Sequence, residues 1–210
     1  MIQAWWTQFA AAWQSTTWVE IAAVALALLY LVLAIRQNIA CWSAAFVSSC
    51  LYVIVLFGAR LYMESALNVF YAAMAVYGFR QWRASDVGGS LRVSRWPLRR
   101  HAVGLVGIVL ASFASSTLLR SYTTAAWPFA DSLVTWASVF ATFLVARKVY
   151  ENWHWWLVID SAAMVLYFTR HLYATMSLFA LYLLLIVVGM REWRRMLRDD
   201  AAANLAPQHG

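Results

Sequence analysis

Long apolar segments separated by short polar links dominate the pattern of this chain. A membrane-spanning helix needs about 20 mostly apolar residues, and seven stretches reach or approach that length. We place them near residues 18–35, 39–57, 64–80, 102–119, 130–146, 153–169 and 174–190. Because the links after the first, second, fifth and sixth stretches are short, those consecutive helices run antiparallel. The pattern predicts an all-α integral membrane protein with seven transmembrane helices.

Composition agrees with a bilayer environment. Of the 210 residues, 64% are hydrophobic and 12% are charged, and that charged share is about half of what a soluble domain carries. The net charge of +7 is also a feature of nucleic-acid-binding proteins, but here the arginines cluster beside the apolar stretches. That placement is typical of residues that orient a chain in a membrane. We expect the lipid bilayer as a partner and no nucleic acid.

The basic residues fall mostly on one side of the predicted helices. Thirteen lie at one set of helix ends, and three, Arg60, Arg120 and Arg170, lie at the other. Cytoplasmic loops of membrane proteins carry an excess of Lys and Arg. We therefore expect a multi-pass protein of a bacterial inner membrane with its N-terminus outside and its C-terminus in the cytoplasm.

Two parts of the sequence resemble each other. Residues 77–83 read YGFRQWR and residues 188–194 read VGMREWR, at an offset of 111, and Tyr71 matches Tyr182 at the same offset. Helices one to three thus correspond to helices five to seven, with helix four as the joiner. A single joining helix lets the two units run parallel, and such transporters hold their substrate near the midplane. The sequence predicts a parallel 3+1+3 internal repeat.

Between the matching segments we expect the offset to change. At 114 residues, Asn38 pairs with Asn152 and Trp42 pairs with Trp156. This alignment requires three extra residues in the loop at 147–152.

The repeat and the charges divide the chain into five segments. The first carries tryptophans and no charge, which favours an interfacial helix. The segments are an interfacial N-terminal stretch at 1–17, a first repeat at 18–83, a cytoplasmic loop and linker helix at 84–129, a second repeat at 130–195 and a cytoplasmic tail at 196–210.

The sixth predicted helix has one chemically distinctive face. Trp153, Trp156, Asp160, Met164 and Tyr167 are spaced by 3, 4, 4 and 3 residues, which places them on one side of a helix. Indoles stack on flat rings, and more strongly on cationic ones, while a carboxylate accepts hydrogen bonds from hydroxyls or an amide. This face suits a heteroaromatic ring with a hydroxylated substituent. The alternative is an interfacial tryptophan belt plus a carboxylate paired to a neighbouring helix.

Further polar and aromatic residues lie at membrane depth. The third helix carries Asn68, which needs a partner in lipid, and Tyr71, whose repeat-equivalent is Tyr182. The two phenols could close a site from both repeats, or they could simply pack. The fifth helix has a polar stripe that suits a cavity wall or a helix–helix seam, formed by Asp131, Thr135, Ser138 and Thr142. We interpret Glu20 and Asp131 as acidic residues that stabilise helix N-termini.

These observations define a set of candidate ligand-binding residues. They are Trp156, Asp160, Asn68, Tyr71, Tyr182, Trp153, Asn152 and Trp42. No phosphate-binding glycine loop, HExxH, GxSxG or paired-cysteine motif occurs in the sequence, so we expect no catalytic residues, no metal and no cofactor. We expect a small-molecule substrate and leave homo-oligomerisation open.

Several segments resemble the PnuC family of bacterial vitamin-precursor transporters. They are PFADS at 128–132, ARKVYENWHWW at 146–156, LY at 172–173, GMREW at 189–193 and LYMESALNVFYAAMAVYGFRQW at 61–82. The resemblance implies a 3+1+3 layout related to the sugar-transporting SWEETs. It also implies facilitated diffusion of nicotinamide riboside, trapped afterwards by cytoplasmic phosphorylation.

The resemblance also carries over to individual residues. Trp156 and Asp160 match a Trp-x-x-x-Asn/Asp pair of the family's binding site, and Asn68 stands where relatives have Gln. The shorter amide is a departure that bears on the identity of the ligand. The alternatives are a carrier of the same fold for thiamine, riboflavin or a related aromatic vitamin, and, from another class, a membrane enzyme or a structural membrane subunit.

Overall fold

The computed structural model describes residues 17–58, 62–88, 92–122, 128–169 and 173–205. Seven helices account for most of them. They are α1 (Trp18–Ile35), α2 (Ala40–Gly58), α3 (Tyr62–Gly88), α4 (Leu98–Tyr122), α5 (Pro128–Ala146), α6 (Asn152–Thr169) and α7 (Tyr173–Leu205). The interfacial helix predicted for 1–17 lies outside the described residues except for Thr17.

The predicted helices are all present, but three of their ends were placed wrongly. α3 continues to Gly88 and α4 begins at Leu98, so both ends of the link expected between residues 80 and 102 are helical. α7 continues to Leu205 instead of ending near 190. The polar end of α7 is stabilised as a helix by an Arg195–Asp199 ion pair at i, i+4 (3.8 Å).

Five of the described helices, α1, α2, α4, α5 and α7, are long and apolar enough to cross a membrane by length and composition. The other two, α3 and α6, are the helices that carry Asn68, Tyr71, Trp156 and Asp160. Polar residues lower their hydropathy, and such residues within a bilayer face a cavity or a partner. The two less apolar helices are therefore the ones on which a ligand site is expected.

Helix packing gives the molecule a two-fold arrangement. Within each repeat the middle helix packs on the first and third, as α2 does on α1 and α3 and α6 does on α5 and α7. Between repeats, α1 packs on α7 and α3 packs on α5, while the linker helix α4 lies against α5. At both contacts the first helix of one repeat packs against the third helix of the other. This is the arrangement expected for the parallel 3+1+3 repeat that the sequence predicts.

The end of α1 adopts a defined C-cap. Gln37 has a positive φ of 53°, its N–H donates to the Ala34 carbonyl (3.1 Å), and the Asn38 N–H donates to the Leu33 carbonyl (2.9 Å). This is the Schellman motif, which satisfies two of the carbonyls left free at a helix end. The end of α5 repeats it, with a φ of 50° at Lys148 and bonds from Lys148 to Val145 and from Val149 to Leu144 (both 2.9 Å).

Each cap is completed by a tryptophan from the opposite repeat. The indole N–H of Trp82 donates to the Ala146 carbonyl at the end of α5 (3.1 Å). The indole N–H of Trp193 donates to the Ile35 carbonyl at the end of α1 (3.1 Å). Both pairs are buried. The two bonds are reciprocal at an offset of 111, so they tie the repeats together through symmetric contacts.

The same region corrects the predicted register of the repeat. Trp42 lies against Gly78 and Trp153 lies against Gly189, so that a Cβ added at either glycine would clash with the indole. Trp42 therefore corresponds to Trp153, and its predicted match to Trp156 is wrong. Backbone hydrogen bonds of the two loops also agree at 111, without an insertion.

The predicted match of Asn38 to Asn152 is wrong for the same reason. Asn38 occupies the position of Val149, and Asn152 occupies that of Cys41. The two asparagines were equated because both follow the end of a helix, but they stand three residues apart in the shared loop. One offset of 111 relates the two repeats from α1 to α7.

The N-terminus of α1 has a capping box. The Glu20 N–H donates to the Thr17 hydroxyl (3.3 Å), and the Thr17 N–H donates to the Glu20 carboxylate (2.6 Å). This confirms the capping interpretation of Glu20. Asp131 lies exposed in the first turn of α5, where its charge favours the helix dipole.

Candidate functional site

Three of the sequence-predicted residues lie at similar distances from the starts of their helices. Tyr71 is the tenth residue of α3, Tyr182 the tenth of α7 and Asp160 the ninth of α6. At a rise of about 1.5 Å per residue, each stands about 12–14 Å from its helix start. A hydrocarbon core is about 30 Å thick, so these side chains lie near the membrane midplane.

Asp160 is the charged residue of this level. It is 7% exposed, and no Lys, Arg or His side chain forms an ion pair with it in the described part of the chain. The phenols of Tyr71 and Tyr182 lie within electrostatic range of its carboxylate. A carboxylate at this depth is costly without a partner, and two phenols do not neutralise its charge.

The two tyrosines bring both repeats to this carboxylate. Tyr71 belongs to the first repeat and also contacts the Ser138 hydroxyl on α5. Tyr182 belongs to the second repeat and packs edge-on against Phe179 (5.7 Å between centroids). The structure thus brings Tyr71, Asp160 and Tyr182 together at the boundary between the repeats.

Two further tyrosines stand next to this group, and sequence reasoning missed both. Tyr52 on α2 lies within electrostatic range of Tyr182, and Tyr30 on α1 lies within range of Tyr71. The alignment at 114 obscured the level of the α2 residues. At the correct offset of 111, Ser49 is the equivalent of Asp160, and the adjoining turn of α2 carries Tyr52.

Trp156 lies one helical turn from Asp160, toward the tryptophan-rich end of the bundle. It is half-buried and packs against both apolar clusters of the core, one around the helix-end tryptophans and one around α4, α5 and α6. An indole at the junction of two clusters has a supported ring and a partly free edge. It can form an aromatic wall beside the carboxylate.

Asn68 and the polar stripe of α5 are partly engaged within their own helices. The Asn68 amide donates to the Glu64 carbonyl (2.9 Å). The Thr135 hydroxyl donates to the Asp131 carbonyl (2.9 Å), and Thr142 does the same to Ser138 (2.8 Å). These bonds satisfy the donors without a neighbouring helix, whereas the amide oxygen of Asn68 can still accept a hydrogen bond.

The remaining three predicted residues pack at the end of the bundle. Trp42 and Trp153 are each 2% exposed and meet Trp82 and Trp193 edge-on at 5.5 and 5.4 Å. The Asn152 side chain is buried and donates to the Val149 carbonyl (2.7 Å). These contacts account for the rings and the Asn152 amide N–H by packing and capping, whereas the indole N–H groups of Trp42 and Trp153 and the Asn152 amide oxygen are buried without a hydrogen-bond partner among the described residues.

The arrangement is a polar, aromatic group at mid-depth of a seven-helix bundle, at the boundary of two parallel repeats. It defines a multi-pass membrane transport protein. A family model described as nicotinamide mononucleotide transporter matches residues 17–195. The chain belongs to this family, and its function is membrane transport.

Individual relatives agree with the family. The riboflavin/roseoflavin transporter RibM of Streptomyces davaonensis is 26% identical over 197 residues, with 90% of each chain covered. The nicotinamide riboside transporter PnuC of Escherichia coli is 22% identical over 216 residues, again with 90% of each chain covered. The crystal structure of the vitamin B3 transporter PnuC shares the fold, with a TM-score of 0.74, 19% identity, and coverage of 94% of this chain and 90% of that one.

Proposed function

We propose that this protein mediates uptake of nicotinamide riboside across the bacterial inner membrane by facilitated diffusion, with trapping by phosphorylation in the cytoplasm. Nicotinamide riboside has a flat pyridinium ring with a positive charge, a carboxamide and a ribose. The proposal is supported by the family, by the PnuC relative and by the chemistry of the mid-depth residues.

One observation carries the choice of ligand. Asp160 is a buried carboxylate at the midplane without a cationic partner among the described side chains. A cationic ligand supplies the missing charge, and the attraction is stronger away from water. A neutral ring does not supply it.

The neighbouring side chains suit the rest of the ligand. We assign the aromatic wall to Trp156, because indoles stack favourably on cationic rings. Tyr71 and Tyr182 offer hydroxyls from the two repeats to ribose or carboxamide, and Asn68 offers its amide oxygen. Trp153, Asn152 and Trp42 support this group from the end of the bundle.

Calorimetry on the purified protein tests the proposal. We expect nicotinamide riboside to bind, and Asp160→Asn to weaken that binding about 10- to 100-fold, since charge-assisted bonds are worth roughly 1.5–3 kcal/mol. Asp131→Asn, an exposed carboxylate in the same repeat, serves as the matched control and should leave affinity unchanged. Equal affinity of wild type and Asp160→Asn for nicotinamide riboside would contradict the assignment.

Riboflavin is the second candidate ligand, because the RibM relative is the more similar of the two by identity. Riboflavin is neutral, so its binding should be insensitive to Asp160→Asn. Thiamine is cationic and belongs in the same screen. If riboflavin binds more tightly than nicotinamide riboside and Asp160→Asn changes neither affinity, riboflavin replaces nicotinamide riboside as the proposed substrate.

The transport mode follows from what could drive it. The sequence has no phosphate-binding glycine loop, which favours transport down the ligand's own gradient. In sealed proteoliposomes we expect uptake to stop when the internal ligand concentration equals the external one. An uncoupler should not change the rate or the extent of uptake. Accumulation driven by a proton or sodium gradient, without a kinase present, would exclude facilitated diffusion.

The orientation rests on the uneven distribution of Lys and Arg. We infer that the link between α3 and α4 and the end of α7 lie in the cytoplasm, with the start of α1 outside. A cysteine introduced at Ser90 should be protected from a membrane-impermeant maleimide in intact cells. Labelling at that position before lysis would reverse the assignment.

A further inference from the structure

The outer surface of the first repeat has a groove between α2 and α3. It has a volume of about 650 Å³, and its lining includes Trp42, Phe46, Ala75, Val76, Arg80 and Arg83. Phe46 and Val76 are 42% and 41% exposed. Because these apolar side chains are exposed on the outside of the helix pair, the groove lies on the lipid-facing side. Its walls are therefore available for contact with lipid.

The floor of the groove is fixed by local packing. Trp42 is held between the surface of Gly78 and the edge of Trp82, and Ala75 has a small side chain one turn before Gly78. The floor is therefore rigid, and its two residues are each 2% exposed. The contact area for an acyl chain, which needs no polar partner, comes from the exposed walls above the floor, such as Phe46 and Val76.

The charged end of the groove lies at the level of lipid headgroups. Arg80 is 18 residues beyond the start of α3 at Tyr62, which corresponds to about 27 Å of helix. That distance approaches the thickness of the hydrocarbon core, about 30 Å. In the proposed orientation this is the cytoplasmic leaflet.

Arg80 and Arg83 lack a counter-charge in the described structure. They are three residues apart on one face of α3 and exposed, and neither forms an ion pair with a carboxylate whose side chain is described. Two guanidinium groups beside each other attract an anion, and phosphate oxygens match their donors.

The second repeat shows what makes the groove. At an offset of 111, Arg80 and Arg83 correspond to Arg191 and Arg194, so the charges are retained. Ala75 corresponds to Ile186, which is 1% exposed. A larger side chain thus stands in the second repeat at the position where the first repeat has space.

We propose that this groove binds an anionic phospholipid, with an acyl chain between Phe46 and Val76, above the floor of Trp42 and Ala75, and the phosphate between Arg80 and Arg83. A free phosphate would leave the apolar walls uncovered, whereas a phospholipid covers both the walls and the arginines. Its apolar space distinguishes the groove from the equivalent surface of the second repeat, which retains the paired arginines but has Ile186 at the position of Ala75. The site is separate from the mid-depth residues and does not depend on which vitamin is carried.

Native mass spectrometry of delipidated protein tests this, with phosphatidylglycerol and phosphatidylcholine of identical acyl chains. We expect phosphatidylglycerol to bind about tenfold more tightly, and the double variant Arg80→Gln/Arg83→Gln to remove the preference, since each basic contact to an anionic lipid contributes a few-fold or more. Ala75→Ile, which copies the second repeat, should weaken both lipids. Ala73→Ile, an exposed position outside the groove, and Arg191→Gln, the repeat equivalent of Arg80, are the controls.

The other outcomes overturn the proposal in distinct ways. Equal binding of the two lipids to wild type, or an unchanged preference in the double variant, removes the headgroup site. Competition by glycerol phosphate alone would show an anion site without the acyl groove. An oligomer that dissociates with Ala75→Ile would show a second copy in the groove. If Ala75→Ile does not fold, the double arginine variant at the surface still decides the result.

Discussion

The helix-end layer and the mid-depth layer of the molecule use the same repeat differently. In the helix-end layer, Trp42 meets Trp82 at 5.5 Å and Trp153 meets Trp193 at 5.4 Å, both at interplanar angles of 88°. The indole bonds to the opposite repeat are both 3.1 Å. This layer is nearly identical in the two repeats.

The mid-depth layer keeps one pair and changes the others. Tyr71 and Tyr182 are equivalent at the offset of 111. The other residues differ between the repeats, because the equivalents of Asp160, Trp156 and Asn68 are Ser49, Ala45 and Phe179. Equivalent helices can pack against each other through equivalent residues. A ligand without two-fold symmetry needs different residues from the two repeats, because its ring and its polar end require different partners. We therefore interpret the loss of symmetry at mid-depth as a sign of the proposed ligand site.

The largest effect is expected where the symmetric layer is overpacked. Gly78→Val and Gly189→Val each push a Cβ into an indole, and overpacking of a core costs about 1–3 kcal/mol or more. We expect both variants to lower the melting temperature strongly, and by similar amounts, in fluorescence-detected size exclusion. Gly107→Val on α4 has open space around the Cβ and serves as the control. If only one of the two glycine variants lowered the melting temperature, the two repeats would not be equivalent in this layer.

The next effect concerns the asymmetric layer. Trp156→Ala should weaken vitamin binding about 10- to 100-fold, because stacking on an aromatic side chain is worth roughly 1–3 kcal/mol, and Trp156→Phe should recover part of it. The measurement is calorimetry on monodisperse variants. If Trp156→Ala folds and binds as the wild type does, Trp156 belongs to packing, and the α5 stripe with Ser138 is the next place to look.

A smaller effect tests reciprocity. Trp82→Phe and Trp193→Phe keep an aromatic ring but remove the indole N–H, which leaves a buried helix-end carbonyl unpaired. We expect each to destabilise the protein by about 1–2 kcal/mol, and the two values to agree closely. Thermal melting in one detergent measures both. Widely different values would mean that one repeat depends on its cap and the other does not.

The smallest effect is a gain. Gln37 adopts a left-handed conformation that costs most residues about 1 kcal/mol and glycine little. Gln37→Gly should therefore raise stability by up to about 1 kcal/mol. Lys148→Gly should gain less, because the Lys148 ammonium lies 4.6 Å from the Trp82 ring centroid. Chemical denaturation or melting shifts compare the two, and equal gains would discount that cation–π contact.

Sequence pattern was enough for the fold but not for the register. Seven apolar stretches and the recurring Gly-x-Arg-x-Trp segment predict the 3+1+3 arrangement, which the structure and the family match confirm. The register failed because identical residue types, Trp42 and Trp156, were aligned. What fixes the correspondence is the Schellman geometry and the contact of each indole with a glycine, and residue identity alone shows neither the geometry nor the contact.

The site was predictable in part for a related reason. Helical spacing on α6 and the Tyr71–Tyr182 match named residues that the fold does bring together. Tyr52 lies within range of Tyr182 across the repeat boundary, and Tyr30 lies within range of Tyr71 between two helices of the first repeat. Spacing within one helix reveals neither relation. Trp153, by contrast, shares a face with Trp156 in spacing, but lies one turn closer to the helix end, where Trp193 covers it.

The reciprocal tryptophan bonds also say something about how such a chain can arise. One three-helix unit contains both parts of the contact, an indole donor on its third helix and a free carbonyl at the end of its first. A unit of this kind is complementary to a copy of itself. The protein is in this respect a covalent homodimer, and α4 is the insertion that lets one polypeptide hold both copies in parallel while only one of them acquires the carboxylate.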